Sequence, residues 1–245
     1  MAEVDFASAR AQEGMRLYAI GDVHGRRDLL VRMHEAIDAE IARDRPGDWR
    51  IVHLGDYCDR GPDTKGVLDF IIARQSADAR ILSLRGNHDD GMLNFLKASG
   101  EWRIFTNNGG ETTAASYGVQ ADFSTPWTLE ASRDALNAAM PAAHRAFLEA
   151  LPYQADFGDF MFCHAGVRPG VPLDGQDPQD LIWIRDAFLH HEGLYARIIV
   201  HGHTPVDSVD IRRNRVNLDT RAFASGRLSA IAIEGDGKRI LEAGV

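Results

Sequence analysis

The side chains best suited to chemistry occur in five short clusters along the 245-residue chain. These clusters combine Asp, His, Asn and Arg with glycines that let the backbone turn sharply. Most of them directly follow an apolar run typical of a buried strand, and α/β folds place their chemistry at the carboxyl ends of such strands. The clusters are Gly21-Asp22-Val23-His24-Gly25, Leu54-Gly55-Asp56-Tyr57-Cys58-Asp59-Arg60-Gly61, Gly86-Asn87-His88-Asp89, His164-Ala165-Gly166 and His201-Gly202-His203-Thr204.

The donor atoms in these clusters are those of a divalent metal site. They are carboxylate and amide oxygens and imidazole nitrogens, a set that favours manganese, iron or zinc and excludes a soft-metal or iron–sulfur site. Asp22 and His24 are two residues apart, so both can converge on one ion from an extended loop. A second ion needs one shared carboxylate, for which Asp56 is the natural bridge. Two metals roughly 3.5–4 Å apart are the usual arrangement for in-line displacement at phosphorus.

The charge balance indicates the class of substrate. Two divalent cations against Asp22 and Asp56 leave a surplus of about two positive charges before Arg60 is added, which suits a phosphate dianion. The chain as a whole carries a formal net charge of −9. We therefore expect neither a nucleic-acid partner nor an anionic membrane surface. No apolar run approaches the roughly 18 residues that a membrane span needs.

The elements that must position these clusters alternate between strand and helix. Apolar runs before the first three clusters predict strands, and apolar residues at helical spacing between them predict helices. This βαβαβ order predicts parallel strands. Later apolar runs predict a second sheet, and Gly235-Asp236-Gly237 predicts a hairpin turn. The predicted strands are 15–20, 51–54, 80–84, 160–163, 197–200, 216–218 and 228–233, and the early helices are 28–43 and one that begins near 62.

Together these elements predict an α/β fold, a four-layer αββα sandwich of two mixed β-sheets. The length suits a single domain over residues 15–245, with a helical insertion at about 90–151 that caps one side of the crevice. Residues 1–14 carry acids and alanines rather than the basic and apolar stretches of a signal peptide, so we expect a mobile tail. Cys58 and Cys163 are too few for a disulfide framework, and a cytoplasmic location is expected.

The order of the motifs resembles a known family. Gly-Asp-x-His-Gly, Gly-Asp-x-x-Asp-Arg-Gly and Gly-Asn-His-Asp, followed by His-Ala-Gly and Gly-His-Thr-Pro, are similar to the motifs of the phosphoprotein phosphatases of the metallophosphoesterase superfamily, in their compact bacterial and bacteriophage lambda type. The resemblance runs from about Leu17 to Ile233. It implies a calcineurin-like fold and phosphomonoester hydrolysis by direct attack of a metal-bridging hydroxide. It also implies two divalent ions as cofactors, with manganese expected and iron or zinc as alternatives.

The same resemblance implies roles for individual residues. His88 corresponds to the general acid, and Asp59 to the partner that orients it and is expected to raise its pKa. Arg60 corresponds to a phosphate clamp, and Arg185 is the candidate for a second clamp. The implied metal ligands are Asp22, His24 and Asp56 for the first ion, and Asp56, Asn87, His164 and His203 for the second.

Three functions follow from this pattern. The main prediction is a serine/threonine protein phosphatase that acts on phosphorylated proteins or small phosphoesters. The alternative is a hydrolase of dinucleoside polyphosphates such as diadenosine tetraphosphate, or of nucleotides, because symmetrical diadenosine tetraphosphatases share nearly all these motifs. That alternative needs a base-stacking pocket, for which the sequence offers Trp102, Phe105, Trp127 and Phe188. The third function is a catalytically inactive phosphoprotein-binding module, against which the complete set of metal and acid residues speaks.

Some residues near the motifs depart from the pattern. Pro205 stands where many nucleases and phosphodiesterases of the superfamily carry a further metal-binding histidine, which favours monoester hydrolysis. His201 lies two residues before His203, but the resemblance assigns no ligand role to it. Arg221 replaces a glycine of related sequences, and its guanidinium could approach the substrate or form a surface ion pair. Asp89 is predicted to cap the following helix or to support the metal ligands.

Overall fold

Two five-stranded sheets form the centre of the computed structural model, which describes residues 3–244. The strands are numbered in chain order, and each sheet is described in the spatial order of its strands. The first sheet contains β10 (Gly237–Gly244), β9 (Arg227–Glu234), β1 (Met15–Ile20), β2 (Asp48–His53) and β3 (Ile81–Ser83). The second sheet contains β4 (Gln154–Phe157), β5 (Phe160–Cys163), β6 (Ile198–His201), β8 (Arg215–Asn217) and β7 (Asp210–Ile211).

Helices connect the strands and cover the outer faces of the sheets. Five of them lie between β3 and β4, the stretch predicted to be a helical insertion. The helices are α1 (Arg27–Asp44), α2 (Thr64–Ala77), α3 (Asn87–Lys97), α4 (Arg103–Asn107), α5 (Gly110–Ser116), α6 (Pro126–Ala139), α7 (Ala142–Ala150), α8 (Pro178–Trp183), α9 (Asp186–Leu189) and α10 (Ala222–Ser225), with a 3-10 turn at Leu173–Gly175.

Strand alternation explains why the sheets stack in four layers. Leu17 and Ala19 of β1 point into the core between the two sheets, where they meet apolar side chains of β5, β6 and β8. Tyr18 and Ile20 point the other way and pack with the buried face of α1. A third apolar cluster lies on the outer face of the second sheet, under α8 and α9. This arrangement confirms the predicted α/β fold with two mixed sheets.

The topology confirms one predicted unit and corrects another. β1, β2 and β3 are parallel neighbours, as the βαβαβ order predicts. The strand predicted at 228–233 is expected in the second sheet. It instead forms β9, which pairs antiparallel with β1 in the first sheet. Ile231 and Ile233 face the core between the sheets, while Ala230 and Ala232 face the helical side, so β9 is buried on both faces as a central strand must be.

The N-terminal segment differs from the mobile tail predicted for residues 1–14. Over the described part, which begins at residue 3, Val4 forms a β-bridge with Tyr195. Ala9 is fully buried, and the backbone N–H of Arg10 donates to the carboxylate of Asp159 over 2.8 Å. Apolar side chains and paired backbone groups therefore fasten this segment to the second sheet. Within residues 3–244, no helix has the length and apolarity to cross a bilayer.

Candidate metal centre and active site

Most of the predicted site residues lie on loops or at a helix start that follow the carboxyl ends of strands from both sheets, whereas Arg185 lies between α8 and α9. Five non-glycine residues of these loops have a left-handed backbone, a conformation uncommon for residues with a side chain. Their φ angles are 42° for His24, 54° for Asp56, 69° for Asp59, 66° for Arg60 and 64° for His203. Strained backbone of this kind clusters at functional sites, where the surrounding structure holds it in place.

Glycines let these loops approach one another closely. A Cβ atom at Gly202 would collide with Oδ1 of Asp22, and a Cβ at Gly86 would collide with Oδ1 of Asp56. Both glycines therefore leave room for a carboxylate oxygen. This explains in physical terms why these two motifs carry a glycine beside their polar residues.

Asp56 lies at the centre of the cluster. Its Oδ2 is 3.4 Å from Nε2 of His24, and its Oδ1 is 3.4 Å from Nε2 of His164. The carboxylate belongs to two groups of side chains whose ligand atoms lie within 4.8 Å of one another, one with His24 and His88 and the other with Asp22 and His164. A carboxylate shared between two such groups has the placement that a bridging ligand needs.

Asn87 joins the histidines that come from the second sheet. Its Oδ1 lies 2.8 Å from Nε2 of His164 and 2.9 Å from Nδ1 of His203. The His203 backbone N–H donates to Oδ2 of Asp22 over 3.0 Å. Among residues 3–244, the buried Oδ1 of Asp22 and the buried Nε2 of His203 have no hydrogen-bond partner. Buried polar atoms need a partner, and a cation supplies one.

The electrostatics of the cluster also favour cations. Burial raises the pKa of Asp22 well above its ordinary range, and the nearby charges of Asp219 and Asp56 raise it further. Burial likewise raises the pKa of Asp56 to about 6. Carboxylates buried together are stable in the ionised form only when positive charge compensates them. The donor set of carboxylate, imidazole and amide groups fits divalent manganese, iron or zinc, so the residues present fit a dinuclear site.

Two histidines are fixed in the orientation that a ligand needs. Nδ1 of His24 donates to the Cys58 carbonyl over 2.7 Å, and Nδ1 of His164 donates to the Leu54 carbonyl over 2.9 Å. Each bond leaves Nε2 free of a proton and directed at Asp56, as is usual for metal-ligating histidines. Burial lowers the pKa of His24 well below its ordinary value, which keeps the imidazole neutral.

Asp89 supports the loop that carries Asp56. Its carboxylate accepts hydrogen bonds from the backbone N–H groups of Asp56 at 2.8 Å, Tyr57 at 2.9 Å and Gly86 at 2.9 Å. The last of these bonds caps α3, which begins at Asn87, a few residues before the predicted start of the helical insertion at about 90. The predicted capping and supporting role of Asp89 thus agrees with its contacts.

His88 and Asp59 form a buried pair beside the carboxylates. Nδ1 of His88 lies 2.7 Å from Oδ2 of Asp59, and Thr113 donates to the other Asp59 oxygen over 3.0 Å. Arg60 Nη2 donates to Nε2 of His88 over 3.2 Å. The predicted rise in the pKa of His88 is wrong for this arrangement, because burial lowers the pKa more than the neighbouring carboxylates raise it.

The cluster opens into a cleft of about 280 Å³. Arg60 lies on one side, where its guanidinium carbon is 4.8 Å from the ring centre of Phe223. Arg185 is exposed on another side, and its Nη2 lies 3.5 Å from the His203 carbonyl. Both guanidinium groups are therefore near the ligand cluster, as the clamp roles require. The lining residues are His24, Asp56, Arg60, Asn87, His88, Ile104, Asn108, Trp183, Arg185, His203 and Asp219.

The aromatic residues suggested for base stacking do not line this cleft. Phe105 and Phe188 are fully buried, Trp102 packs on the apolar core, and Trp127 is 81% exposed on α6. No sequence pattern distinguishes such core and surface positions from a cleft wall. Trp183, two residues before the predicted clamp Arg185, does line the cleft.

Three residues around the cluster have contacts that the motifs leave open. His201 is fully buried and its ring packs edge-on against Phe188 at 5.0 Å, outside both groups of candidate ligands. Arg221 forms an ion pair with the exposed Asp207, so it takes the surface role of the two that its sequence position allowed. Sequence reasoning did not identify Thr113, because nothing in the pattern around it indicates a contact with Asp59.

Comparisons with known proteins agree with this geometry. The chain is 26% identical over 231 residues to bis(5'-nucleosyl)-tetraphosphatase PrpE (asymmetrical) of Anoxybacillus flavithermus, which covers 86% of this chain and 88% of that protein. It is 26% identical over 234 residues to serine/threonine-protein phosphatase 1 of Salmonella typhimurium, covering 91% and 94%. A crystal structure of a protein described as a candidate diadenosine tetraphosphatase matches with a TM-score of 0.64, at 21% identity, over 97% of this chain and 99% of that one.

The family model described as calcineurin-like phosphoesterase matches residues 15–220, which include every candidate ligand. The predicted metallophosphoesterase superfamily is thereby confirmed, whereas the phosphoprotein phosphatase subtype stays a prediction. The chain belongs to the calcineurin-like phosphoesterase family of metal-dependent hydrolases.

Proposed function

We propose that this chain is a dinucleoside polyphosphate hydrolase that cleaves bis(5'-nucleosyl) tetraphosphates asymmetrically. The observation that carries the proposal is that the cleft continues into an adjoining pocket on one side and has a second pocket close by on the other. Ile104 and Trp183 line both the cleft and an adjoining pocket of about 490 Å³. On the other side, Phe223 separates Arg60 from a second pocket of about 490 Å³. A substrate with two nucleoside ends uses both sides, whereas a phosphoserine side chain uses one.

The relatives support the same proposal. Several bacterial proteins that match most of this chain carry the name bis(5'-nucleosyl)-tetraphosphatase PrpE (asymmetrical). The asymmetrical outcome, a nucleoside monophosphate and a nucleoside triphosphate, is transferred to this chain from that name as part of the proposal.

The ion-binding residues follow from the geometry of the cluster. Two divalent ions, with manganese expected, would be held by Asp22, His24, Asp56, Asn87, His164 and His203. When bound, such ions act as Lewis acids on the phosphoryl group and lower the pKa of water.

The remaining steps belong to the chain's own side chains. Arg60 donates to Nε2 of His88. A phosphoryl oxygen is a stronger acceptor for a guanidinium than an imidazole is, so Arg60 turns to the substrate, and Arg185 binds it from the other side. This movement frees Nε2 of His88 to take up a proton from the water that attacks phosphorus and to pass it to the departing oxygen. Asp59 holds Nδ1 of His88 and stabilises the protonated ring, while Thr113 keeps Asp59 in place.

A substrate comparison tests the proposal. The manganese-loaded protein is given diadenosine tetraphosphate and a panel of phosphoserine and phosphothreonine peptides, and the products are separated by chromatography. We expect a higher kcat/KM for the dinucleotide, with AMP and ATP as products. The Asp56→Asn variant is the control that assigns the activity to this cluster. Higher kcat/KM on the phosphopeptides would reject the proposal, and two ADP molecules as product would reject the asymmetrical cleavage.

A serine/threonine protein phosphatase is the second candidate. It is supported by the similarity to serine/threonine-protein phosphatase 1 of Salmonella typhimurium, which extends over 91% of this chain. The same substrate panel separates the two candidates, because a protein phosphatase releases inorganic phosphate from the peptides and leaves the dinucleotide intact.

A further inference from the structure

The pocket beside the cleft has a composition unlike that of the cleft itself. It measures about 490 Å³, within the size range of small-molecule sites. Ile104, Trp183 and Ile184 supply apolar walls, whereas the cleft walls are mostly ionisable. The two spaces share Ile104 and Trp183, so a ligand can extend from one into the other without leaving the surface of the protein.

Trp183 is placed to serve both spaces. It is the last residue of α8, is half-buried, and its ring centre lies 6.2 Å from that of the candidate ligand His203. Arg185 follows two residues later and lines the cleft. A group attached directly to a phosphate held near His203 and Arg185 is therefore within reach of the Trp183 indole.

The charges around this pocket argue for an uncharged occupant. Glu101 lies on its rim, and the Arg168 guanidinium is already paired with both carboxylate oxygens of Asp180, at 2.6 Å and 2.5 Å. Among the described residues that line this pocket, no cation is thus left over for further phosphates. By contrast, the pocket beyond Phe223 carries two arginines against Asp28 and Asp63. Arg26 pairs with Asp28, whereas Arg27 makes no ion pair within residues 3–244.

We infer that the Trp183 pocket binds the nucleoside attached to the phosphate that is attacked, with its purine base stacked on the indole. Aromatic rings accept bases by stacking, and uncharged polar groups on the rim, such as the Gln179 amide, can hydrogen-bond to base edges or ribose hydroxyls. The remaining phosphates then extend toward Arg60 and Arg27. This inference rests on the proposed function for its substrate class, but it concerns binding and can be tested by binding alone.

The test measures the binding of AMP and of inorganic phosphate to the manganese-loaded protein by calorimetry. Trp183→Leu keeps an apolar side chain but removes the stacking surface, whereas Trp183→Phe keeps an aromatic ring. We expect Trp183→Leu to weaken AMP about 10- to 100-fold, in line with the stacking contribution of one base, and to change phosphate binding less than about threefold. Trp183→Phe should retain most of the AMP affinity. The matched control is Trp127→Leu, which removes a distant exposed indole and should leave both affinities unchanged.

A second variant keeps the test informative if Trp183→Leu fails to fold. Ile104→Ala shortens another wall of the pocket and should also weaken AMP selectively. Equal AMP affinity in the wild type, Trp183→Leu and Ile104→Ala would overturn the inference, as would equal weakening of AMP and phosphate. Because the experiment measures binding, its result does not depend on whether the protein hydrolyses diadenosine tetraphosphate. If the wild type binds AMP through Trp183 but leaves diadenosine tetraphosphate intact, only the proposed reaction is contradicted.

Discussion

A buried pair of histidines makes the stability of this protein sensitive to acid. His34 of α1 and His53, the last residue of β2, place their Nε2 atoms 2.8 Å apart, and both side chains are almost completely buried. Nδ1 of His53 is also within 2.9 Å of the Ser83 hydroxyl. One proton suffices for the bond between the two rings, so protonation of both places two positive charges side by side in the core. Burial lowers the pKa of His34 to about 2 and that of His53 to about 4.

The size of the effect follows from these values. Unfolded histidines have a pKa of about 6.5, so below that pH the unfolded chain binds more protons than the folded one. The free energy of unfolding therefore decreases as the pH is lowered. The pair contributes its full stability above about pH 6.5 and loses it as the pH falls toward the folded values. At pH 5, about 1.5 units below the unfolded pKa, each neutral histidine costs about 2 kcal/mol, and the pair about 4 kcal/mol.

Urea unfolding of the metal-free protein at pH 7.5 and pH 5.0 measures this loss. The His34→Gln/His53→Gln variant removes both titrating groups, so the difference between the wild type and the variant cancels the other ionisable residues. We expect the free energy of unfolding of the wild type to drop by about 4 kcal/mol more than that of the variant. The exposed His190 provides the control, since His190→Gln should behave as the wild type. Equal pH dependence in the wild type and the double variant would refute the reasoning.

Three further predictions concern the candidate site. Asp59→Asn should lower kcat about 100-fold through the loss of the charge that supports His88, with the bound manganese unchanged in elemental analysis; an unaltered kcat would contradict the role of the pair. Gly202→Ala should displace the Asp22 carboxylate and weaken manganese binding at least about 10-fold in a calorimetric titration, while Gly175→Ala, where a Cβ meets nothing within 4 Å, should bind manganese as the wild type does. Treatment with EDTA should abolish hydrolysis, and manganese should restore it at a stoichiometry of two ions per chain; full activity in the chelated protein would exclude a metal-dependent reaction.

The parts of the structure that depend on local patterns could be predicted from the sequence. Helical spacing of Leu29, Leu30, Met33 and Ile37 indicates α1, and the parallel order of β1, β2 and β3 follows from the strands and helices that alternate there. The closeness of residues as distant in sequence as Asp22 and His203 could be expected from the order of the motifs, which resembles that of one family.

The parts that depend on nonlocal packing could not be predicted in this way. Nothing in the apolar pattern of β9 shows which sheet it joins, because strands of either sheet can be buried on both faces in a four-layer sandwich. The same limit applies to Thr113, whose hydroxyl meets Asp59 only after α5 packs against α2. The pKa of His88 illustrates an electrostatic limit, because its carboxylate neighbour could be anticipated from the sequence but its depth of burial could not.

The candidate ligands come from both halves of the sandwich, and this has a mechanical consequence. Asp22 and Asp56 follow strands of the first sheet, whereas His164 and His203 follow strands of the second. Ions bound by all four residues would crosslink the two sheets at one end, in addition to the apolar core between them. Separation of the sheets at that end would then require loss of the ions first. The metal-free protein should therefore open there more often and be cleaved by proteases along the same edge.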